Sequence, residues 1–228
     1  MNALIFGASG GLATALADAL LARGSQVDMV TREERRETIE RQFGAASANG
    51  LARIFSVTGK YSDFDVLQSY DAYFFTQALF APSPLISMDA ASIASEIEVG
   101  LTQPIQITRK LLSRHPPAGR RVNYCYIGST SAYAGFKNTS VYCAVKHGLL
   151  GFVRAMNDEY AQADARFWLF SMGTMNTRMG AKLREQDPSS FLQPGDVAER
   201  IVDMVCAPSN LFEPEVVIRR RTIRFLEK

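Results

Sequence analysis

Long apolar runs are missing: no stretch of the 228 residues approaches the ~18 consecutive apolar positions that a membrane-spanning helix requires. A helical membrane protein is not expected. The opening MNALIFGASGG has neither a charged n-region nor a cleavable apolar h-region, which points to the cytoplasm. Histidine is scarce. Neither His115 nor His147 has a second ligand at metal spacing, so no metal site is expected. The three cysteines, Cys125, Cys143 and Cys206, are odd in number, lack C-x-x-C spacing and lie in apolar surroundings. They read as small buried thiols rather than as disulfides. Charge of one sign is not in excess, since 25 Lys plus Arg stand against 23 Asp plus Glu. A balance of +2 is too weak for a dedicated nucleic-acid or anionic-membrane binder, and a small ligand is the better expectation. With 47% hydrophobic and 21% charged residues, the chain is neither disordered nor collagenous nor a coiled coil.

What is present is an alternation of short apolar runs and longer amphipathic ones. Ala3–Phe6 reads as a first strand, and Leu12, Ala15, Leu16, Ala19 and Leu20 then recur at helical spacing up to the stop signal Gly24. Further strands are predicted at Val27–Thr31, Leu51–Val57, Asp71–Phe75, Val122–Ile127, Phe167–Phe170 and Val216–Ile218. Helices are predicted over about 33–43, over Ile93–Arg114 with Gly100 and Pro104 inside, over Tyr142–Tyr160, and after Pro194. The unalternating Tyr73-Phe74-Phe75 suits a strand buried on both faces. No linker, repeat or low-complexity tract divides the chain. One α/β domain over residues 1–228 is predicted, a doubly wound, mainly parallel sheet of about seven strands with helices on both faces. Residues 174–193 fit neither pattern and read as a substrate lid.

Gly7-Ala8-Ser9-Gly10-Gly11-Leu12 lies between the first strand and the first helix, where backbone amides and a helix N-terminus hold pyrophosphate. Glycines alone are weak evidence; the flanking strand and helix make them useful. At the end of the second strand, where a carboxylate ordinarily takes the ribose hydroxyls of NAD, this chain has Thr31 followed by Arg32. A guanidinium in place of the carboxylate favours the 2′-phosphate of NADP over NAD. The competing reading makes Arg32, Arg35 and Arg36 a solvated face paired with Glu33, Glu34 and Glu37.

Tyr142 and Lys146 stand four residues apart on one predicted helix, so both point from the same face. Bringing a phenol from its reference pKa of about 10 to neutrality takes about 4 kcal/mol of preferential phenolate stabilisation, which nearby positive charge can supply. Ser129, thirteen residues earlier, follows the fifth strand at the sheet edge where open α/β sheets bind ligands. With the glycine turn, Ser129 and Tyr142-x-x-x-Lys146, nearly the whole chain resembles the short-chain dehydrogenase/reductase family. Gly173 followed by Thr177, and Pro194-Gly195-Asp196 before the last helix, add to the resemblance.

The resemblance implies a nicotinamide-dependent oxidoreductase acting on a small carbonyl or alcohol. Tyr142 would exchange the proton, Ser129 would polarise the carbonyl, and Lys146 would hold the nicotinamide ribose and acidify the phenol. Thr177 would orient the carboxamide, and Thr76-Gln77-Ala78 would line the adenosine side. Thr130, Ser131 and Tyr133 remain alternative hydroxyl donors.

Several positions depart from the family pattern. Thr76-Gln77-Ala78-Leu79 replaces Asn-Asn-Ala-Gly, Gly100 stands where a helix asparagine anchors a water, Ser56 replaces an adenine-contacting aspartate, and Met172 replaces a proline. They keep two other readings open: a cofactor-binding regulatory or partner subunit with little turnover, and an epimerase or dehydratase using the same site. Substrate walls are expected at Leu79, Phe80, Ala81, Ser131, Tyr133, Phe136 and 175–183, mostly apolar. Arg178, Lys182 and Arg184 in the lid read as solvated more readily than as an anion site. Arg219–Arg221 and Arg224 make too thin a footprint for nucleic acid. The resemblance also implies a homodimer or homotetramer.

Overall fold

The computed structural model describes residues 1–117, 119–207 and 212–226. Seven strands form one sheet: β1 (Asn2–Phe6), β2 (Gln26–Arg32), β3 (Ala52–Val57), β4 (Ala72–Phe75), β5 (Val122–Ile127), β6 (Ala165–Met172) and β7 (Glu215–Ile218). Their order is β3-β2-β1-β4-β5-β6-β7, and all six pairings are parallel. The order turns back between β1 and β4, which opens a crevice beyond the carboxyl ends of those two strands.

Parallel register places equivalent positions side by side, and the sequence exploits this with aromatic rungs. Phe6 pairs with Phe75 and Phe75 with Tyr126. Their rings stack at 5.6 Å and 4.5 Å. A second rung runs Tyr73, Tyr124, Phe167, with ring separations of 5.3 Å and 4.7 Å. A slip of one residue would turn these rings to the opposite face, so stacking and burial pin the register together.

The rungs face α4 (Gln103–Arg114) and α5 (Ser140–Glu159), which contribute Ile107, Leu111, Leu149 and Val153 to their core. On the other face, α1 (Gly11–Ala22), α2 (Arg36–Ala48) and α6 (Pro194–Cys206) pack Leu16, Ile39 and Ile201 against Ile5, Phe74 and Trp168. The inner strands β1, β2, β4, β5 and β6 are buried on both sides, as their apolar runs require, while the edge strands β3 and β7 are only partly covered.

The long helix predicted over Ile93–Arg114 is interrupted. It consists of α3 (Ala90–Ile97), a π turn (Glu98–Thr102) and α4. The interruption puts Pro104 in the first turn of α4, where its missing N–H costs little. It also presses Gly100 onto α5: a Cβ there would lie 2.6 Å from Val145 Cγ1. Gly148 makes the reciprocal approach, with a Cβ position 2.9 Å from Leu101 Cδ2. Two side-chain-free positions thus let the helices meet closely.

Two further expectations need correction. Cys206 is exposed rather than buried, at the last position of α6, whereas Cys125 and Cys143 are buried. The helix predicted at about 33–43 starts later and runs longer, after a 3-10 turn at Glu33–Arg35. Among the described residues, no helix is long and apolar enough to cross a membrane.

Gly100→Asn should destabilise the fold by about 1–3 kcal/mol, since Val145 is buried and its branched side chain cannot rotate away cheaply. Adding Val145→Ala should recover much of that loss, as read by urea denaturation of the single and double variants.

Candidate active site

A cavity of about 1470 Å³ follows the carboxyl edge of the sheet. At one end, Gly7 leaves β1 with φ +82°, and a Cβ there would sit 2.7 Å from the backbone N of Gln77. Only glycine satisfies both the conformation and the contact. Gly10 caps α1 without a side chain, and the first turn of that helix holds no acidic residue. Its amides are therefore available to an anion. Gly7, Ser9, Gly10, Gly11 and Leu12 all line the cavity.

Thr76, Gln77 and Ala78 continue this wall from the end of β4. The Thr76 hydroxyl donates to the Phe6 carbonyl at 2.6 Å, tying the two strand ends together. Gln77 is 6% exposed, yet neither its amide nitrogen nor its amide oxygen has a hydrogen-bond partner. A buried amide left unmatched on a cavity wall is a donor and acceptor reserved for a ligand.

Beyond β2 and β3 the wall carries Arg32, Arg35, Thr58, Gly59, Lys60 and Tyr61. The Arg32 guanidinium lies 5.9 Å from the Tyr61 ring centre. Lys60 is paired with Glu98 at 2.9 Å. Thr31 is different from what the sequence led us to expect. It is wholly buried in β2, its hydroxyl has no partner, and it does not reach the cavity. Strand alternation sends Thr31 inward and Arg32 outward. Ser56 is likewise absent from the wall; its hydroxyl bonds the Glu33 carboxylate.

At the reacting end, Ser129 follows β5 and its hydroxyl accepts the Ser131 amide at 3.1 Å, a turn that aims the side chain into the cavity. The Ser129 hydroxyl lies on the same side of the cavity as the Tyr142 phenol and favours its ionised form. Tyr142 sits in the first turn of α5, with its ring edge-on to Phe80 at 4.7 Å. Lys146 is 2% exposed, its Nζ donates to the Ile127 carbonyl at 2.7 Å, and it lies 5.4 Å from the centre of the Tyr142 ring. Ser129, Tyr142 and Lys146 all line the cavity, as do Thr130, Ser131 and Tyr133.

The expected acidification of the phenol is not supplied by the protein's own groups. Burial pushes Tyr142 up to about 12 despite the lowering contribution of Ser129. Burial also brings Lys146 down to about 8, against a raising contribution from Glu96. Glu96, on α3, is a residue the sequence reading missed: it is 3% exposed, and Oε1 has no hydrogen-bond partner. Desolvation raises its carboxyl, while Lys182 and Lys146 pull it down. In the sequence it looks like one more helix surface acid, and only the packing of α3 against α5 buries it.

Gly173 and Thr177 line the cavity after β6, and Thr177 Cγ2 would lie 2.8 Å from a Cβ on Gly11. The segment 174–193 thereby rests on the glycine turn. It contains only 3-10 turns, at Gly180–Lys182 and Pro188–Ser190. Phe80 accepts a bond from Lys182 Nζ at 2.6 Å. Of the expected substrate walls, Leu79, Phe80, Phe136, Met175, Met179 and Leu183 are present, whereas Ala81 is not. Arg219, Arg220, Ile223 and Phe225 also line the cavity, and no local pattern in the chain announces that this C-terminal segment turns back over it. No cluster of metal-ligating side chains occurs among the described residues.

The family model described as short chain dehydrogenase matches residues 1–188. The chain belongs to the short-chain dehydrogenase family. Among its relatives, the chain is 30% identical over 189 residues to a short chain dehydrogenase/reductase, dpchG, of Colletotrichum higginsianum, covering 75% of this chain and 68% of that one. It is 26% identical over 198 residues to the 3-oxoacyl-[acyl-carrier-protein] reductase of Escherichia coli, covering 83% and 80%. The fold superimposes with a TM-score of 0.82 on an alcohol dehydrogenase from Thermococcus sibiricus solved with 5-hydroxy-NADP, at 18% identity and 96% coverage of each chain. A parallel seven-stranded sheet thus accompanies membership of an oxidoreductase family.

Burial of Lys146 carries a stability signature. Its pKa is about 8 in the folded protein against 10.5 for the free side chain, so between those values the unfolded chain binds more protons and stability rises with pH. Lys146→Met should remove that rise and be more stable than wild type at pH 7 by on the order of 1–3 kcal/mol. Urea unfolding of both proteins at pH 7 and above pH 10 checks the two effects.

Proposed function

We propose that the chain is an NADP(H)-dependent oxidoreductase that interconverts a small carbonyl compound and its alcohol, with Tyr142 as acid and base. The observation that carries this reading is continuity. One cavity joins the glycine turn, the unmatched Gln77 amide, Arg32 and the Ser129–Tyr142–Lys146 group. Its residues fit a dinucleotide: α1 and the glycine turn would hold the pyrophosphate, and Gln77 would meet the adenosine side. Arg32 and Arg35 would take the 2′-phosphate, Lys146 the nicotinamide ribose and Thr177 the carboxamide. When bound, the nicotinamide supplies or accepts hydride.

The chain's own groups handle the proton and the charge. Near neutral pH, Tyr142 is protonated, so it is poised to donate to a carbonyl oxygen. Ser129, on the same cavity wall, would donate to the same oxygen as negative charge grows on it. The phenolate left behind would be favoured by Ser129 and by the Lys146 ammonium, whose Nζ lies 5.4 Å from the ring centre. In the reverse direction those two groups must first lower the phenol's proton affinity. The protein without added charge is thus better prepared for reduction than for oxidation.

Two measurements test this. Tyr142→Phe should lower turnover on a panel of ketones and aldehydes by about 10²–10⁴-fold while NADPH binding, read by fluorescence, stays unchanged. Tight NADPH binding by the wild type with no turnover across the panel would instead favour the partner-subunit reading. Arg32→Ala should weaken NADPH about 10- to 100-fold, the 1.5–3 kcal/mol of a charge-assisted contact, and leave NADH nearly unaffected. Equal weakening of both would remove the preference for NADP.

A further inference from the structure

We infer that the substrate end of the cavity is built for an anionic carbonyl compound, one bearing a carboxylate that pairs with Arg220 while its carbonyl meets Tyr142. This rests on the oxidoreductase reading and names its substrate class. Arg220 follows β7, lines the cavity, and packs beside Gly173, whose Cβ position would lie 3.8 Å from Arg220 Cγ and Nε. Its guanidinium stands 5.6 Å from the Phe191 ring centre and reaches Ser190 Oγ at 3.4 Å. Both partners belong to the segment that covers the cavity. Among the described residues, no carboxylate forms an ion pair with Arg220. Burial disfavours its charge, and no acidic group offsets that cost.

A half-buried guanidinium on a cavity wall without a counterion is open to an anion. The nearby acids do not meet it. Glu215 is bound by Arg154 at 2.6 Å and 3.0 Å, and Glu185 on the cavity wall is exposed. Arg178 and Arg219 line the same cavity. The cofactor's own phosphates have other hosts, the glycine turn and the Arg32–Arg35 pair. Met175, Leu183, Ile223, Phe225 and Phe136 complete the wall, so the anion is expected to sit on an apolar body.

Arg220 is also held in place rather than free to sweep. The segment that follows it is strapped to the cover by Asp187 N to Arg224 O at 2.9 Å and Leu226 N to Glu185 O at 3.0 Å. Such fixing lowers the entropy lost on forming a two-pronged contact.

The test uses protein saturated with NADP and two probes of equal shape, 3-phenylpropanoate and its uncharged amide, with binding read by calorimetry. Wild type should bind the carboxylate at least about tenfold more tightly than the amide, and Arg220→Met should abolish the gap. Arg220→Lys should restore part of it. Equal binding of the two probes by wild type, or a gap that survives in Arg220→Met, overturns the inference. So does a weakened NADPH affinity in Arg220→Met, which would assign the arginine to the cofactor. These readouts need no turnover, so an absence of activity on carbonyl panels would fail the oxidoreductase reading separately.

Discussion

The parallel register of the sheet is the constraint on which everything else rests. Because every strand runs the same way, the residues after each strand emerge at one edge, and the cavity is assembled from seven such exits. The glycine turn follows β1, Arg32 ends β2, and Thr58 follows β3. Thr76 then follows β4, Ser129 β5, Gly173 β6 and Arg219 β7. The stacked rungs of Phe6, Phe75 and Tyr126 and of Tyr73, Tyr124 and Phe167 hold those exits level. A polar residue in a rung would weaken stacking and burial at once, and with them the alignment of sites more than one strand apart.

The second theme is charge placed where water is scarce. Lys146 and Glu96 are both buried, and each raises the cost of the other's absence. Their burial follows from close helix packing. Gly100 and Gly148 let the π turn and α5 approach until Val145 and Leu101 fill the space a Cβ would need. The same approach that carries Glu96 inward therefore leaves little room for an asparagine at position 100.

Much of the fold was legible because strands buried on both faces leave apolar runs too short for helices, and because Gly24 and Pro104 punctuate the chain. The glycine turn and the Tyr142–Lys146 pair were legible for a similar reason: their chemistry depends on local spacing along one turn or one helix. Thr31 shows the limit of that logic. Proximity to Arg32 in sequence suggested a shared role, yet neighbouring strand residues face opposite ways, and Thr31 ends in the core. The π turn was hidden because residues 93–114 read as one helix, whereas the extra residue turns the inward face, leaving Ile97 exposed and burying Ile107 and Leu111.

By itself, the sequence determined the element order, the glycine turn after β1 and the helix that carries Tyr142 and Lys146, since each is encoded by periodicity or spacing within a short stretch of chain. Tertiary structure decided which acids and bases lie in water and which lie in the protein. Glu96, Arg220 and the unmatched Gln77 amide acquire their meaning from neighbours far away in sequence. Desolvation depends on what packs against a group in three dimensions, and no local pattern of residues reports it.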